Sequence, residues 1–171
     1  AFAYAAALVV VSGDMRNSLM GLGASEEKIK LIPYGVNTSL FKQISLSEQL
    51  NFLFIGRLVD KKSPLTVITA FAKVVDKFPE AKLRIVGDGP LLPTAQLLAK
   101  DLGLEKNIRF TGVLSRQEII NIMADTYCYV QHSVTAVDGD MEGTPNTILE
   151  ASAVGLPVIS TRHAGIKEAV I

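Results

Sequence analysis

Short, continuously apolar runs alternate with longer amphipathic stretches along almost the whole of this chain. The apolar runs lie at 8–11, 29–32, 51–55, 82–86, 108–110, 127–131 and 157–160. Several of them, such as Phe52-Leu53-Phe54-Ile55, do not alternate apolar with polar residues. A strand that is apolar on both sides has both faces covered, the situation of a parallel sheet enclosed by helices. Helical patterning occupies 14–22, 64–77, 91–102, 116–123, 145–154 and the residues from 166 onward. Strands and helices that alternate through short connections predict an α/β fold with a Rossmann-like, doubly wound parallel sheet. There is no internal repeat and no low-complexity tract.

With 171 residues and 49% hydrophobic content, the chain has ample material for a full core. Basic and acidic residues balance at 17 each, so nothing in the charge points to nucleic acid or to a membrane surface. The single cysteine, Cys128, excludes a disulfide framework and a Cys-rich zinc site. It lies in the apolar run Tyr127-Cys128-Tyr129-Val130, which predicts a buried strand thiol. The opening run, residues 1–11, is shorter than the roughly 20 residues of a membrane span and has no basic leader. It reads as a helix tail and strand entering from a preceding domain, while position 171 falls inside an apparent helix. The expectation is a fragment cut at both ends. Residues 37–49 are polar and weakly patterned, as in a linker. This divides the chain into 1–50, the tail of a preceding domain plus linker, and 51–171, a compact α/β domain.

In a doubly wound sheet the ligand lies beyond the carboxyl ends of the strands, so the loops after strands carry the chemistry. The first such loop opens Gly56-Arg57-Leu58 and reaches Lys62 before Pro64. Arg binds phosphate bidentately and Lys acts as a point charge, so the pair can neutralise a diphosphate in place of a metal. A solvated basic loop is the alternative. Gly87-Asp88-Gly89-Pro90 starts like a dinucleotide fingerprint, but lacks the third glycine, and Pro90 removes an N–H. Its glycines are expected to serve a tight turn, with close approach of a ligand as a further use. Thr111-Gly112-Val113-Leu114 could face a nucleobase or be a plain connection. Asp138, Asp140 and Glu142 are spaced as hard-cation ligands can be, yet a solvated or donor-shaping loop is the commoner use, and no metal site is assigned. His132 and His163, the only histidines, have no Ser or Cys nucleophile context and receive no role.

The densest signal is Glu142-Gly143-Thr144-Pro145-Asn146-Thr147-Ile148-Leu149-Glu150. Thr144 reads as an N-cap and Pro145 as the first helical residue, where a missing N–H costs nothing. Gly155 ends the helix. Glu142 then stands outside the helix beside unpaired N–H groups, while Asn146 and Glu150 share one face. Anion-binding donors flanked by two carboxylates suit phosphate plus polyol, which is what a sugar nucleotide presents. A capped surface helix with solvated glutamates is the alternative.

In this order and spacing, the motifs resemble the C-terminal donor-binding domain of the retaining family-four glycosyltransferases of the two-domain GT-B fold. The residues that carry the resemblance begin with Ser12 before a helix, Ile32-Pro33-Tyr34-Gly35-Val36-Asn37-Thr38 and Phe41, then Gly56-Arg57-Leu58 with Lys61-Lys62. They continue with Val86-Gly87-Asp88-Gly89-Pro90, Phe110-Thr111-Gly112, Glu142 to Thr147 with Glu150-Ala151, and Gly155-Leu156-Pro157-Val158-Ile159.

The resemblance implies that Arg57 and Lys62 bind the donor diphosphate and stabilise the leaving group, and that Glu142 contacts the transferred sugar. These three form the expected catalytic set. It further implies Glu150 on the ribose, Val113 near the base, Gly56 in the donor loop, and the backbone of Gly143, Thr144, Asn146 and Thr147 near sugar and phosphates. The implied activity is retaining hexosyl transfer from a nucleotide-diphosphate sugar to a glycan or lipid-linked acceptor, in polysaccharide or glycoconjugate biosynthesis, with no metal cofactor. The acceptor belongs to an N-terminal domain of which only the tail is present, so this fragment is expected to bind donor without efficient transfer. The implied location is the cytoplasm, with any attachment to the inner membrane face made through that other domain. Two departures stand out. Asp138-Gly139-Asp140 makes the loop more acidic than the family's commoner form, and Ser63 stands where Gly is frequent. A sugar-nucleotide epimerase of the same architecture and a non-catalytic nucleotide-binding module are the other readings.

Overall fold

A computed structural model describes residues 2–45 and 47–170. Ala1, Leu46 and Ile171, which the sequence reading put in the entering segment, the linker and the last helix, lie outside the described residues. Two parallel sheets are present. The smaller pairs β1 (Leu8–Val10) with β2 (Ile29–Leu31), joined through helix α1 (Gly13–Gly21). The larger holds β3 (Asn51–Ile55), β4 (Lys82–Val86), β5 (Ile108–Gly112), β6 (Cys128–Gln131) and β7 (Val158–Ser160) in the spatial order β5-β4-β3-β6-β7. All its pairings are parallel, so the α/β doubly wound reading holds. Strand order reverses between β3 and β6, and the crevice at their carboxyl ends is the switch point where such sheets take ligands.

Side-chain alternation along the strands of the larger sheet builds two cores, one on each face. Phe54, Leu83 and Ile85 face helices α2 (Pro64–Val75) and α3 (Leu92–Asp101), packing with Val67, Ile68, Phe71 and Ala95. Leu53, Ile55 and Tyr129 face the other way, toward α4 (Arg116–Ala124) and α5 (Asn146–Ala153), where Met123, Ile148 and Ala151 meet them. Phe41, inside the segment read as a linker, is 3% exposed and packs into this second core. The N–H of Ile44 also donates to the carbonyl of Val154.

Local sequence accounts for the helix starts. Pro64 occupies the first turn of α2. Ser115 and Glu118 close a reciprocal capping box on α4, which holds the Glu118 carboxyl below its ordinary pKa. At α5 the structure corrects the expected cap. Pro145 has extended ψ of 122° and its carbonyl accepts from Ile148 N, so Pro145, not Thr144, is the N-cap and the helix begins at Asn146. A proline at that position has no side-chain acceptor to offer its own helix.

The short helix α6 (Ile166–Ala169) joins the two sheets. Glu168 Oε1 accepts from Gly13 N at 2.8 Å, at the start of α1, and Lys167 pairs with Asp14 at 2.9 Å. A Cβ built on Gly165 would lie 2.9 Å from Ser12 Cβ and from the carbonyl oxygen of Gly143, so only glycine fits between α1 and the Gly143-Thr144 loop.

Candidate donor-binding site

The loop after β3 turns through a short 3₁₀ segment, Asp60–Lys62, and ends at Ser63 in the left-handed region with φ of 39°. Ser63 sits where a glycine would be unstrained, which gives physical content to the departure noted in the sequence. The Gly87-Asp88-Gly89 turn runs beside this loop. A Cβ on Gly87 would lie 2.0 Å from the carbonyl oxygen of Gly56, and one on Gly89 would lie 2.6 Å from that of Leu58. These glycines thus let the turn pack backbone to backbone against the Gly56–Leu58 loop, and both also line the cavity beside it.

Two adjoining cavities open at the carboxyl edge of the sheet. One, of about 490 Å³, is lined by Gly56, Arg57, Gly87, Val113, Leu114 and Ile119 among others. The other, of about 530 Å³, is lined by Arg57, Lys61, Lys62, Asp138, Asp140 and Glu142 among others. Arg57 borders both. It is exposed and, among the described residues, forms no ion pair. Val113, 78% exposed, presents its apolar side chain to the first cavity.

Lys62 and Glu142, eighty positions apart in sequence, meet at 2.6 Å, with side chains only 12% and 13% exposed. Burial pushes the Lys62 ammonium below its ordinary pKa, opposed by the Glu142 carboxylate and reinforced by neighbouring Lys61. The contact is a close ion pair, largely buried on both sides. The Lys62 stem runs beside Gly56, at ordinary contact distance of 3.6 Å from where a Cβ would stand. The acidic turn is held over this cavity: Lys61 Nζ pairs with Asp140 at 3.0 Å and Val134 N donates to the Lys61 carbonyl. Asp138 Oδ1 accepts from Asp140 N at 2.9 Å. The three carboxylates thus turn to three different partners.

The remaining expected residues lie around α5. Asn146 is exposed at the first helical position. Neither its N–H nor that of Thr147 finds an acceptor among the described residues, as at any helix start. Thr144 Oγ1 packs against Gly165, and Gly143 faces the Val11 side chain. The Thr147 hydroxyl turns inward. Glu150 is half-buried and lines neither cavity; burial raises its carboxyl pKa, against the pull of Arg116.

Beneath α5 lies a buried polar cluster that sequence reasoning missed. Tyr129 Oη, Gln131 Oε1 and Thr147 Oγ1 lie within hydrogen-bonding distance of one another, and Gln131 Nε2 donates to Ser133 Oγ. Burial raises the Tyr129 pKa, so the hydroxyl keeps its proton. The only sequence trace was a polar Gln131 closing an otherwise apolar run. Cys128 is buried, as expected. His132 and His163, given no role, come near enough that His163 adds to the lowering of the His132 pKa by burial.

A family model described as Glycosyl transferases group 1 matches residues 36–171. The amylovoran biosynthesis glycosyltransferase AmsK of Erwinia amylovora is 31% identical over 172 residues, covering 99% of this chain and 42% of the relative. A GDP-mannose-dependent alpha-(1-6)-phosphatidylinositol monomannoside mannosyltransferase of Mycobacterium tuberculosis is 30% identical, covering 94% of this chain and 45% of the relative. Anabaena HepE, solved in complex with UDP-glucose, superposes with a TM-score of 0.85 at 22% identity, over 99% of this chain and 48% of that one. The chain spans less than half the length of these relatives. Among the described residues no helix is long and apolar enough to cross a membrane.

Proposed function

The chain belongs to the glycosyl transferases group 1 family, and on that premise we propose that it is the donor-binding part of a retaining hexosyltransferase. The donor is a nucleotide-diphosphate sugar, and the acceptor a glycan or lipid-linked glycan of a polysaccharide or glycoconjugate pathway. One observation carries the reading. Arg57, Lys62 and Glu142 line a single cavity, and Arg57 also borders the neighbouring cavity that presents Val113. A sugar nucleotide laid across that ridge puts its base by Val113, its diphosphate on Arg57 and its sugar toward Glu142.

Charge sets the chemistry. When the bond from the anomeric carbon to phosphate oxygen breaks, the electron pair stays with the diphosphate and positive charge grows on the carbon. Arg57, Lys62 and the N–H groups of Asn146 and Thr147 favour the first change, a contribution of several kcal/mol in comparable sites. Glu142 favours the second. The acceptor hydroxyl attacks from the face the diphosphate leaves, and a phosphate oxygen takes its proton, which gives retention. Phosphate binding requires Lys62 to exchange Glu142 for the diphosphate, which frees the carboxylate for sugar hydroxyls. Two side-chain cations supply the counter-charge, so the reading requires no metal.

The relatives' names specify GDP-mannose in one case and UDP-glucose in another, so a panel of UDP, GDP and ADP followed by mass-spectrometric donor screening is the direct test. Binding of one diphosphate and consumption of its sugar conjugate with an acceptor are expected from the longer protein. Donor conversion without acceptor would favour an epimerase, and lack of nucleotide binding would favour a non-catalytic module.

A further inference from the structure

The Tyr129 hydroxyl, on β6, touches two other elements, β3 and α5, that each lead into the proposed donor site. It lies 3.2 Å from the carbonyl oxygen of Ile55, 2.9 Å from Gln131 Oε1 and 2.8 Å from Thr147 Oγ1. Ile55 ends β3 immediately before Gly56-Arg57, and Thr147 is the second residue of α5. The tyrosine side chain is 0% exposed and sits at the strand-order reversal. Gln131 is oriented in turn by Ser133, whose N–H and carbonyl are both bonded to the Thr161 hydroxyl at 3.0 Å.

Proton counting shows how tight this junction is. Tyr129 and Thr147 bring one hydroxyl proton each to four contacts: with Ile55 O, with Gln131 Oε1 twice, and with each other. Neither hydroxyl is spare, and moving Thr147 away would leave a buried acceptor short of a donor. One phenol oxygen therefore links the end of β3 to the first turn of α5.

We propose that Tyr129 is a positioning residue for the donor, fixing the gap that a nucleoside diphosphate bridges between Arg57 and the N–H groups opening α5. The inference rests on the proposed donor site. In Tyr129→Phe the ring keeps its packing, and the Thr147 proton turns wholly to Gln131 Oε1, now 3.3 Å away. The first turn of α5 is drawn toward β6, so the site changes shape while the fold survives.

The test measures calorimetric affinity for UDP, GDP and ADP, together with Tm, for the parent chain, Tyr129→Phe, Thr147→Val, the double variant and Thr147→Ser. With the site displaced by a fraction of an ångström, either single change should weaken the bound diphosphate about tenfold. The double variant should be no worse than either single one, and Thr147→Ser, which keeps the hydroxyl, should bind like the parent. If the variants lower Tm yet bind as the parent does, the cluster is structural only and the proposal fails; additive losses in the double variant defeat it too. Should Tyr129→Phe not fold, Thr147→Val carries the same test. A parent chain that binds no nucleotide removes the proposed function and this inference together, whereas normal parent binding with unchanged variants removes this inference alone.

Discussion

Lys62 and Glu142 were expected to act on different parts of the donor, and in the structure they hold each other at 2.6 Å. That pairing alters what a charge-removing substitution should do. Glu142→Gln keeps the shape but releases Lys62, so nucleoside-diphosphate affinity should rise by about 1 kcal/mol, roughly fivefold in Kd. The gain should vanish in a Lys62→Met background. Turnover of the longer enzyme should fall, because the positive charge developing on the sugar loses its carboxylate. Equal affinity of Glu142→Gln and parent would show that the pair does not compete with phosphate. Glu150 offers a second test. Burial raises its pKa, so the folded chain binds its proton more tightly than the unfolded chain, and stability falls as pH rises through that window. Glu150→Gln should therefore raise Tm above the folded pKa and have no effect on it below the unfolded one. If the ribose assignment holds, the same variant should lose affinity for ribonucleotides but not for 2′,3′-dideoxynucleotides. A lowered Tm at neutral pH would contradict the burial argument.

Turns rather than strands decide how the loops around the cavities fit together. Gly87 has φ of 129° and a missing Cβ that would strike the Gly56 carbonyl, whereas Gly103, φ of 68°, ends α3 with open space around it. Gly87→Ala should cost on the order of 3 kcal/mol, combining backbone strain with overpacking. Gly103→Ala should cost only about 1 kcal/mol, from the left-handed backbone alone. Urea denaturation of both variants reads the difference, and equal costs would mean that the two loops do not press together. Most elements were legible because each is specified locally. β3 and β4 run from 51 to 55 and 82 to 86 as expected, and the helices differ by a residue or two at their ends. The N-cap of α5 was misplaced for a tertiary reason. Thr144 Oγ1 and Ser12 Cβ both crowd against Gly165, and the chain turns into the helix one residue later.

At the scale of the molecule, the proposed donor site is built from loops of one sheet, with α6 tying the smaller sheet alongside it. Because Arg57 and Lys62 supply the counter-charge, nucleotide-diphosphate binding by this chain should survive EDTA. Loss of binding on chelation, restored by a divalent cation, would move Asp138, Asp140 and Glu142 into a metal-binding role. The chain should also bind nucleotide without acceptor-dependent transfer, with activity appearing only in a protein of the relatives' full length. Robust transfer by residues 1–171 would overturn the division of labour.

Fold class, the order of the elements and the chemical identity of the loops after each strand were legible in the residues alone. Those properties depend on periodicity, caps and residue type within a few positions of one another. The strand order, the burial of Phe41 from within a polar segment and the inward turn of Thr147 came from packing in three dimensions. The pairing of Lys62 with Glu142 and the hub at Tyr129 likewise join residues far apart in the chain. Such contacts arise when a parallel sheet brings successive carboxyl ends to one edge. Which loop then faces which follows from the crossover between β3 and β6, for which no local pattern codes.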